Sequence, residues 1–211
     1  MSLGLLILAG GRSTRMGSDK PGQPFPGPAD PPLIRWVAGT VAEVAGPPTI
    51  AGPRDYGTGW PLVPDEPGLP GPVGGLVAGL AANASPLVLV LAADLPFASA
   101  HLARKLAEIA ERDPDCQAVV PERDGQLEPL FAVYRREANS ALRDRARQLA
   151  QPGQGARLRG TVAGVRVRRV AESEWRVWDP EGASFLNCNT PSELAAAAER
   201  ARLRPEQGGN R

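Results

Sequence analysis

The chain is poor in the residues that carry many of the familiar reactive chemistries. Its 211 residues hold only two cysteines, Cys116 and Cys188, and one histidine, His101. Two distant cysteines give neither a disulfide framework nor the paired spacing of a zinc site. A preponderance of one charge is also missing. Lys and Arg number 24 against 23 Asp and Glu, a net +1, so no strong field draws the chain to nucleic acid or to an anionic membrane. No apolar run approaches the roughly 18 residues needed to cross a bilayer. The N-terminus reads as a strand interrupted by Gly4 and not as a basic segment leading into a cleavable apolar one, so a cytoplasmic location is expected.

What is present points to an α/β fold. Leu5–Leu8, Pro86–Ala93 and Ala118–Val120 are apolar runs without polar alternation, the pattern of strands covered on both faces. Leu33–Val44, Gly75–Ala84, Ala100–Arg112 and Thr190–Arg204 read as helices between and after them. Ser99 is placed to cap the third, and Thr190 with Glu193 forms a capping box for the last. Leu130–Tyr134, Val165–Val170 and Arg176–Trp178 are read as further strands. The alternation predicts a three-layer α/β/α, mostly parallel sheet with helices on both faces. One domain is expected over 1–204, with a disordered tail at 205–211. Residues 21–32, PGQPFPGPADPP, carry six prolines and are predicted to be a stiff loop.

The chemistry-bearing features lie at strand ends. Leu3–Leu8 runs into Ala9-Gly10-Gly11, then Arg12, Arg15 and Lys20. Missing side chains let backbone N–H groups approach phosphate oxygens, and the cations neutralise the charge. The spacing fits neither G-x-x-x-x-G-K-[ST] nor G-x-G-x-x-G. Asp94 follows the central apolar strand directly, and a carboxylate there can ligate Mg²⁺ together with substrate phosphates. For Asp94 taken alone, an ordinary capping role is the better reading; beside the glycine-rich loop, metal binding is favoured.

The full string Leu8-Ala9-Gly10-Gly11-x-Ser13-x-Arg15-Met16-Gly17-x-Asp19-Lys20 resembles the signature of nucleotidyltransferases with a Rossmann-like, glycosyltransferase-A type fold. Asp65-Glu66-Pro67 with Gly71-Pro72-Val73-Gly74-Gly75-Leu76, Ala93-Asp94-Leu95-Pro96-Phe97, Glu128-Pro129-Leu130-Phe131-Ala132-Val133-Tyr134 and Phe185-Leu186-Asn187-Cys188-Asn189-Thr190-Pro191-Ser192-Glu193-Leu194 narrow the resemblance to the molybdenum cofactor guanylyltransferases, the MobA family. It runs from about residue 3 to 200. The related cytidylyltransferases typically have alanine at the position of Gly10.

That resemblance implies GMP transfer from GTP to the molybdenum-molybdopterin cofactor, with Mg²⁺ as cofactor and pyrophosphate as the second product. Leu8, Ala9, Gly10 and Gly11 would line the nucleotide, Lys20 and Arg15 would stabilise the phosphates, Asp65 would lie on the guanosine side, and Asp94 would bind metal and nucleotide. Asn187 and Asn189 would lie near the metal or the acceptor, with Arg157 a further acceptor-side candidate. Cofactor-delivery proteins or molybdoenzymes are candidate protein partners. The chain departs from the family where a Gly-Lys-Pro-Leu turn is usual and it has Ala29-Asp30-Pro31-Pro32-Leu33. CTP as donor, a sugar-phosphate acceptor, or non-catalytic nucleotide binding stand as alternatives at this level. Other residues have ordinary explanations. Cys188, between the asparagines, is expected to point into the core. His101 fits an exposed first-turn position, Trp36 fits the core, and the cationic run of Arg157, Arg159, Arg166, Arg168 and Arg169 fits a solvated face as well as an acceptor surface.

Overall fold

A computed structural model describes residues 3–10, 19–69, 71–150 and 157–203. The strands are β1 (Leu3–Leu8), β2 (Ala45–Ala51), β3 (Leu62–Val63), β4 (Leu87–Ala92), β5 (Ala118–Arg123), β6 (Gln126–Leu127), β7 (Phe131–Arg135) and β8 (Val167–Val170). The helices are α1 (Leu33–Gly39), α2 (Pro72–Ala82), α3 (Ala100–Arg112), α4 (Ala138–Leu149), α5 (Leu158–Val162), α6 (Glu172–Trp175) and α7 (Pro191–Leu203). The sheet order is β3-β2-β1-β4-β7-β5-β6, with β8 paired to β5. β3, β2, β1 and β4 pair in parallel, as do β5 and β8, while β7 runs antiparallel to both β4 and β5.

Alternation along the strands builds a core on each face. Leu5, Ile7, Leu89 and Leu91 pack with α1, α3, α6 and α7 residues such as Ile34, Leu102, Trp175 and Ala197. Leu6, Leu8, Val88 and Val90 pack with α2, α4 and α5 residues such as Leu76, Leu142 and Val162. The predicted three-layer α/β/α fold is therefore the observed one.

Several boundaries differ from the sequence reading. The predicted helix Leu33–Val44 ends at Gly39, and tight turns lead into β2. That strand was hidden by Pro47 and Pro48. They are accommodated because the β1–β2 register shifts between Leu3 and Leu5, where Leu5 meets Pro48, and an irregularity frees the ladder positions a proline cannot fill. Arg176–Trp178, read as a strand, is a turn that continues α6, with Trp178 N–H donating to the Trp175 carbonyl at 2.9 Å. α4 is absent from the sequence reading. It buries only Ala138, Leu142 and Ala146, an apolar stripe too narrow to stand out among its charged residues.

The caps are as expected: Ser99 Oγ accepts from Leu102 N at 3.3 Å, Glu193 N donates to Thr190 Oγ1 at 3.2 Å and Glu193 Oε2 accepts from Thr190 N at 2.9 Å. The proline-rich loop opens with a 3-10 turn at Lys20–Gly22 and is anchored by Phe25, which is buried and meets Trp36 edge-on at 5.2 Å. Its Phe25–Pro26 peptide bond is cis. The expected disordered tail at 205–211 lies outside the described residues. No described helix is long and apolar enough to cross a membrane.

Candidate functional site

Ligands of open α/β sheets bind beyond the carboxyl ends of the strands, and there the chain gathers its chemistry. β1 and β4 are parallel neighbours, with Leu8 opposite Ala92. Ala93 N–H donates to the Leu8 carbonyl at 3.0 Å and Ala9 N–H to the Ala51 carbonyl at 2.8 Å. Ala9-Gly10 and Ala93-Asp94 thus leave the same edge side by side. β5 runs in the same direction, so Glu122 and Arg123 emerge there too.

Lys20 reaches this edge from the 3-10 turn. Its Nζ lies 2.9 Å from Asp94 Oδ2, and the residue is only 7% exposed. A buried ammonium needs such a partner, since an unpaired charge there carries a large desolvation penalty. The closing segment is fixed to the same aspartate through its backbone: Cys188 N–H donates to the Asp94 carbonyl at 3.1 Å. Cys188 is buried, as expected, and Asn187 and Asn189 are exposed on either side of it. Burial first, and then the Asp94 carboxylate, push the Cys188 thiol up to about 11, which makes it a packing group and not a nucleophile. Lys20, Asp94, Asn187 and Asn189, far apart in sequence, are brought to one edge. His101 is exposed in the first turn of α3.

The flank toward β2 carries Asp65. Its Oδ2 accepts from Gly71 N at 3.3 Å. Gly71 has φ +83°, a conformation that suits glycine, and it leads into α2. A β-carbon on Gly74 would collide with the Leu69 carbonyl oxygen, so α2 can start this close to the Asp65 loop only without a side chain there. The next residue, Glu66, is held by Arg143 of α4 through Nε at 2.7 Å and Nη2 at 3.3 Å, with Arg147 at 3.7 Å. This support was missed in the sequence, where arginines four apart on an unrecognised helix gave the only signal. Tyr56 was missed as well: its hydroxyl donates to the Ala9 carbonyl at 3.0 Å. Leu8 and Ala9 are buried and Gly10 is half-buried. Gly11 and Arg15 lie outside the described residues.

The flank toward β5 is a charge cluster. Glu128 Oε1 lies 3.4 Å from Arg123 Nε and 3.6 Å from Arg159 Nη2. Its carboxyl is nevertheless pushed up, because burial outweighs the two guanidinium groups. Arg159 also donates to the Leu127 carbonyl at 2.8 Å. Arg157 is an exposed cap of α5, and among the described residues its side chain makes no ion pair. Arg166 donates to the Asp115 carbonyl, Arg168 holds Glu174, and Arg169 holds Glu122. Of the tryptophans, Trp175 is fully buried and Trp36 donates to the Pro96 carbonyl at 2.8 Å.

Among the described residues no cluster of three or more His, Cys, Asp or Glu side chains could hold a metal by itself. The donors that the Lys20 and Cys188 contacts bring together at the end of β4 are the Asp94 carboxylate and the neutral amides of Asn187 and Asn189. That set suits Mg²⁺, which keeps several waters and shares one or two carboxylates with substrate phosphates, and does not suit a metal that needs an all-protein cage.

Comparison with known proteins gives the chain's family and fold. Residues 5–167 match the family described as MobA-like NTP transferase domain. The chain is 32% identical over 202 residues to a probable molybdenum cofactor guanylyltransferase of Chloroflexus aggregans, covering 92% of each chain. It is 34% identical over 195 residues to one of Pelotomaculum thermopropionicum, covering 91% of this chain and 90% of that protein. Among solved structures, molybdopterin-guanine dinucleotide biosynthesis protein A from Archaeoglobus fulgidus superposes with a TM-score of 0.76 at 23% identity, over 95% of this chain and 99% of the other. A 2-C-methyl-D-erythritol 4-phosphate cytidylyltransferase from Thermus thermophilus superposes with a TM-score of 0.63 at 22% identity, over 96% of this chain and all 100% of the other. At these identities, the two structures show the shared fold.

Proposed function

The chain belongs to the MobA-like NTP transferase family, and from that premise we propose that it transfers GMP from GTP to the molybdenum-molybdopterin cofactor, forming the guanine dinucleotide form and pyrophosphate. The observation that carries the reading is the meeting of Ala9-Gly10, Lys20, Asp94 and the Asn187–Asn189 segment at the end of β1 and β4. The names of the relatives favour GTP over CTP, and Gly10 agrees with them.

The reaction needs little proton chemistry. A phosphate oxygen of the acceptor attacks the α-phosphorus of GTP, a new P–O bond forms, and the bond from the α-phosphorus to the bridging oxygen breaks, its electron pair leaving on pyrophosphate. The nucleophile is already anionic at neutral pH, so no strong general base is required. Catalysis is then positioning and charge stabilisation. In this reading the backbone of Leu8, Ala9 and Gly10 lines the nucleotide and Asp65 lies on its guanosine side. Gly11 is assigned to the nucleotide with Leu8, Ala9 and Gly10, and Lys20 and Arg15 would stabilise the phosphates. Asn187, Asn189 and Arg157 serve the acceptor side. Asp94 would hold Mg²⁺, which when bound neutralises charge on the triphosphate. We place the reaction in the cytoplasm, with cofactor-delivery proteins or molybdoenzymes as partners.

The test is a reaction of purified protein with GTP, Mg²⁺ and the molybdenum-molybdopterin cofactor. Pyrophosphate release and a dinucleotide product of the expected mass are the anticipated result. Omitting Mg²⁺ abolishes it, and GTP outranks CTP, ATP and UTP in thermal-shift assays. A clear preference for CTP, or tight GTP binding without turnover, would overturn the proposal.

A further inference from the structure

The loop between β2 and β3 packs Tyr56 and Trp60 against the core and also makes polar contacts that the proposed chemistry does not require. Tyr56 adopts φ +54° and is followed by Gly57 at +70°. A bulky side chain in the left-handed region costs energy and persists only where its surroundings enforce it. Here they do. Asp55 accepts from Gly57 N at 3.1 Å and from Gly59 N at 3.4 Å, and Arg35 of α1 donates to the carbonyls of Gly57 at 3.2 Å and Thr58 at 2.8 Å. The loop is braced on itself and on a helix.

What the brace presents is directed at the two stretches that enter the site. The Tyr56 hydroxyl donates to the Ala9 carbonyl at 3.0 Å. The edge of its ring lies beside Gly22, where an added β-carbon would sit 3.3 Å from Cδ1. The Arg54 guanidinium lies over the same ring, 5.3 Å from its centroid, and pairs with Asp19, the residue before Lys20. One loop therefore holds the backbone that lines the nucleotide and, separately, the turn that carries the buried lysine.

We infer that Tyr56 and Arg54 are positioning residues for the nucleotide: a clasp that sets Ala9-Gly10 and Lys20 at a fixed separation before GTP arrives. The inference rests on the proposed nucleotide site. Neither side chain takes part in the chemical step. Holding the two stretches in advance removes an ordering cost from binding, so the effect falls on nucleotide affinity. Burial, with the Asp19 carboxylate second, pushes the Tyr56 hydroxyl up to about 12, which keeps it a donor at any working pH.

The test uses the full chain with Tyr56→Phe, which removes one O–H, and Arg54→Gln, which removes the charge that pairs with Asp19. For each, the Kd for GTP is measured calorimetrically without acceptor, and KM and kcat are measured with it. The expected result is a rise of about fivefold in Kd and KM for GTP in each variant, the factor a single lost hydrogen bond carries. kcat and the KM for the acceptor stay within about twofold of the parent. Unchanged Kd and KM for GTP in both variants would overturn the clasp, as would a fall in kcat at constant KM, or a loss of thermal stability with affinity intact. If the parent protein prefers another nucleotide, the GTP reading fails on its own. The clasp is then judged by the same ratios with that nucleotide.

Discussion

Breaking the Lys20–Asp94 pair should cost stability as well as chemistry, and the size of the cost can be worked out from the structure. At 2.9 Å and an effective dielectric constant of about 20, the Coulomb attraction is about 6 kcal/mol, much of it offset by desolvation of two charges. The Lys20 side chain is 8% exposed and that of Asp94 24%. Removing one partner of a buried pair costs ~3–5 kcal/mol because a charge is left without compensation. The partial exposure of Asp94 puts this pair near the lower end. Asp94→Ala should therefore lower unfolding stability by about 3 kcal/mol, and lower Tm by about 6–12 °C for a chain of this size. Lys20→Met should cost less, because the carboxylate left behind can still reach water. The double variant should recover much of the loss, giving a coupling of about 2 kcal/mol between the two sites. Urea unfolding of the four proteins, read by tryptophan fluorescence, measures each corner of the cycle. Single variants that each lose under about 0.5 kcal/mol, with no coupling, would show that water screens the pair as at a surface, and the reasoning would be refuted. Asp94→Ala alone is thus a poor probe of metal binding, since lost activity can follow from a disturbed Lys20. Asp94→Asn keeps the size and an acceptor for Lys20 Nζ but not the compensating charge, so it too is read against the Lys20 variant and the double-mutant cycle.

Three further outcomes are expected. Gly10→Ala should fold normally, because among the described residues the added β-carbon would meet nothing closer than Asp65 Oδ1 and Gly52 Cα at 3.9 Å, while the ratio of kcat/KM for GTP over CTP should fall by about tenfold; an unchanged ratio would remove Gly10 from base selection. Arg143→Ala should cost about 1–2 kcal/mol in urea unfolding through loss of its paired contacts to the half-buried Glu66, and a cycle with Glu66→Ala should show most of that as coupling. Both tyrosines, Tyr56 and Tyr134, are pushed above their ordinary value of 10.0 by burial, Tyr56 to about 12. Ionisation is thus easier in the unfolded chain, so the stability that depends on neutral tyrosine is whole below pH 10 and lost as pH climbs toward 12. Alkaline titration should show tyrosinate absorbance appearing only with unfolding, and early ionisation at native circular dichroism would contradict the burial.

The parts of the molecule legible in the sequence are those specified by local pattern. β1 and β4 are continuous apolar runs, α3 and α7 carry cap residues at their first turns, and Asp94 is placed by the strand it ends. The parts that were not legible depend on tertiary partners. β2 contains two consecutive prolines that argue against a strand until the irregular pairing with β1 is known. α4 buries so few residues that its helical stripe is hidden by arginine and aspartate. Arg176–Trp178 has the composition of a strand, yet it follows a single helical turn and closes it. The same division holds at the site. Lys20, Asp94, Asn187 and Asn189 are picked out by motifs, and the fold brings them to one edge. Tyr56, Arg54 and Arg143 act on Ala9, Asp19 and Glu66 across gaps in sequence that no local spacing reveals.

How the site is held decides which substitutions speak about chemistry. Three main-chain bonds join its pieces: Ala9 N–H to the Ala51 carbonyl, Ala93 N–H to the Leu8 carbonyl, and Cys188 N–H to the Asp94 carbonyl. Side-chain substitution leaves all three in place. Asn187 and Asn189 project from a backbone fixed in this way and are exposed, so among the described residues little of the fold leans on their side chains. Lys20 and Asp94 differ, since each compensates the other's charge in a largely water-excluded position. On the proposed assignment, a change at either asparagine would be read as a change at the acceptor or metal side, provided Tm is constant. A change at Lys20 or Asp94 mixes the reaction with the energetics of a buried pair, and separating the two requires the double-mutant cycle together with an isosteric variant. The exposed amides are therefore the cleaner probes of the acceptor or metal side that we propose for them, although the aspartate is the more conspicuous residue.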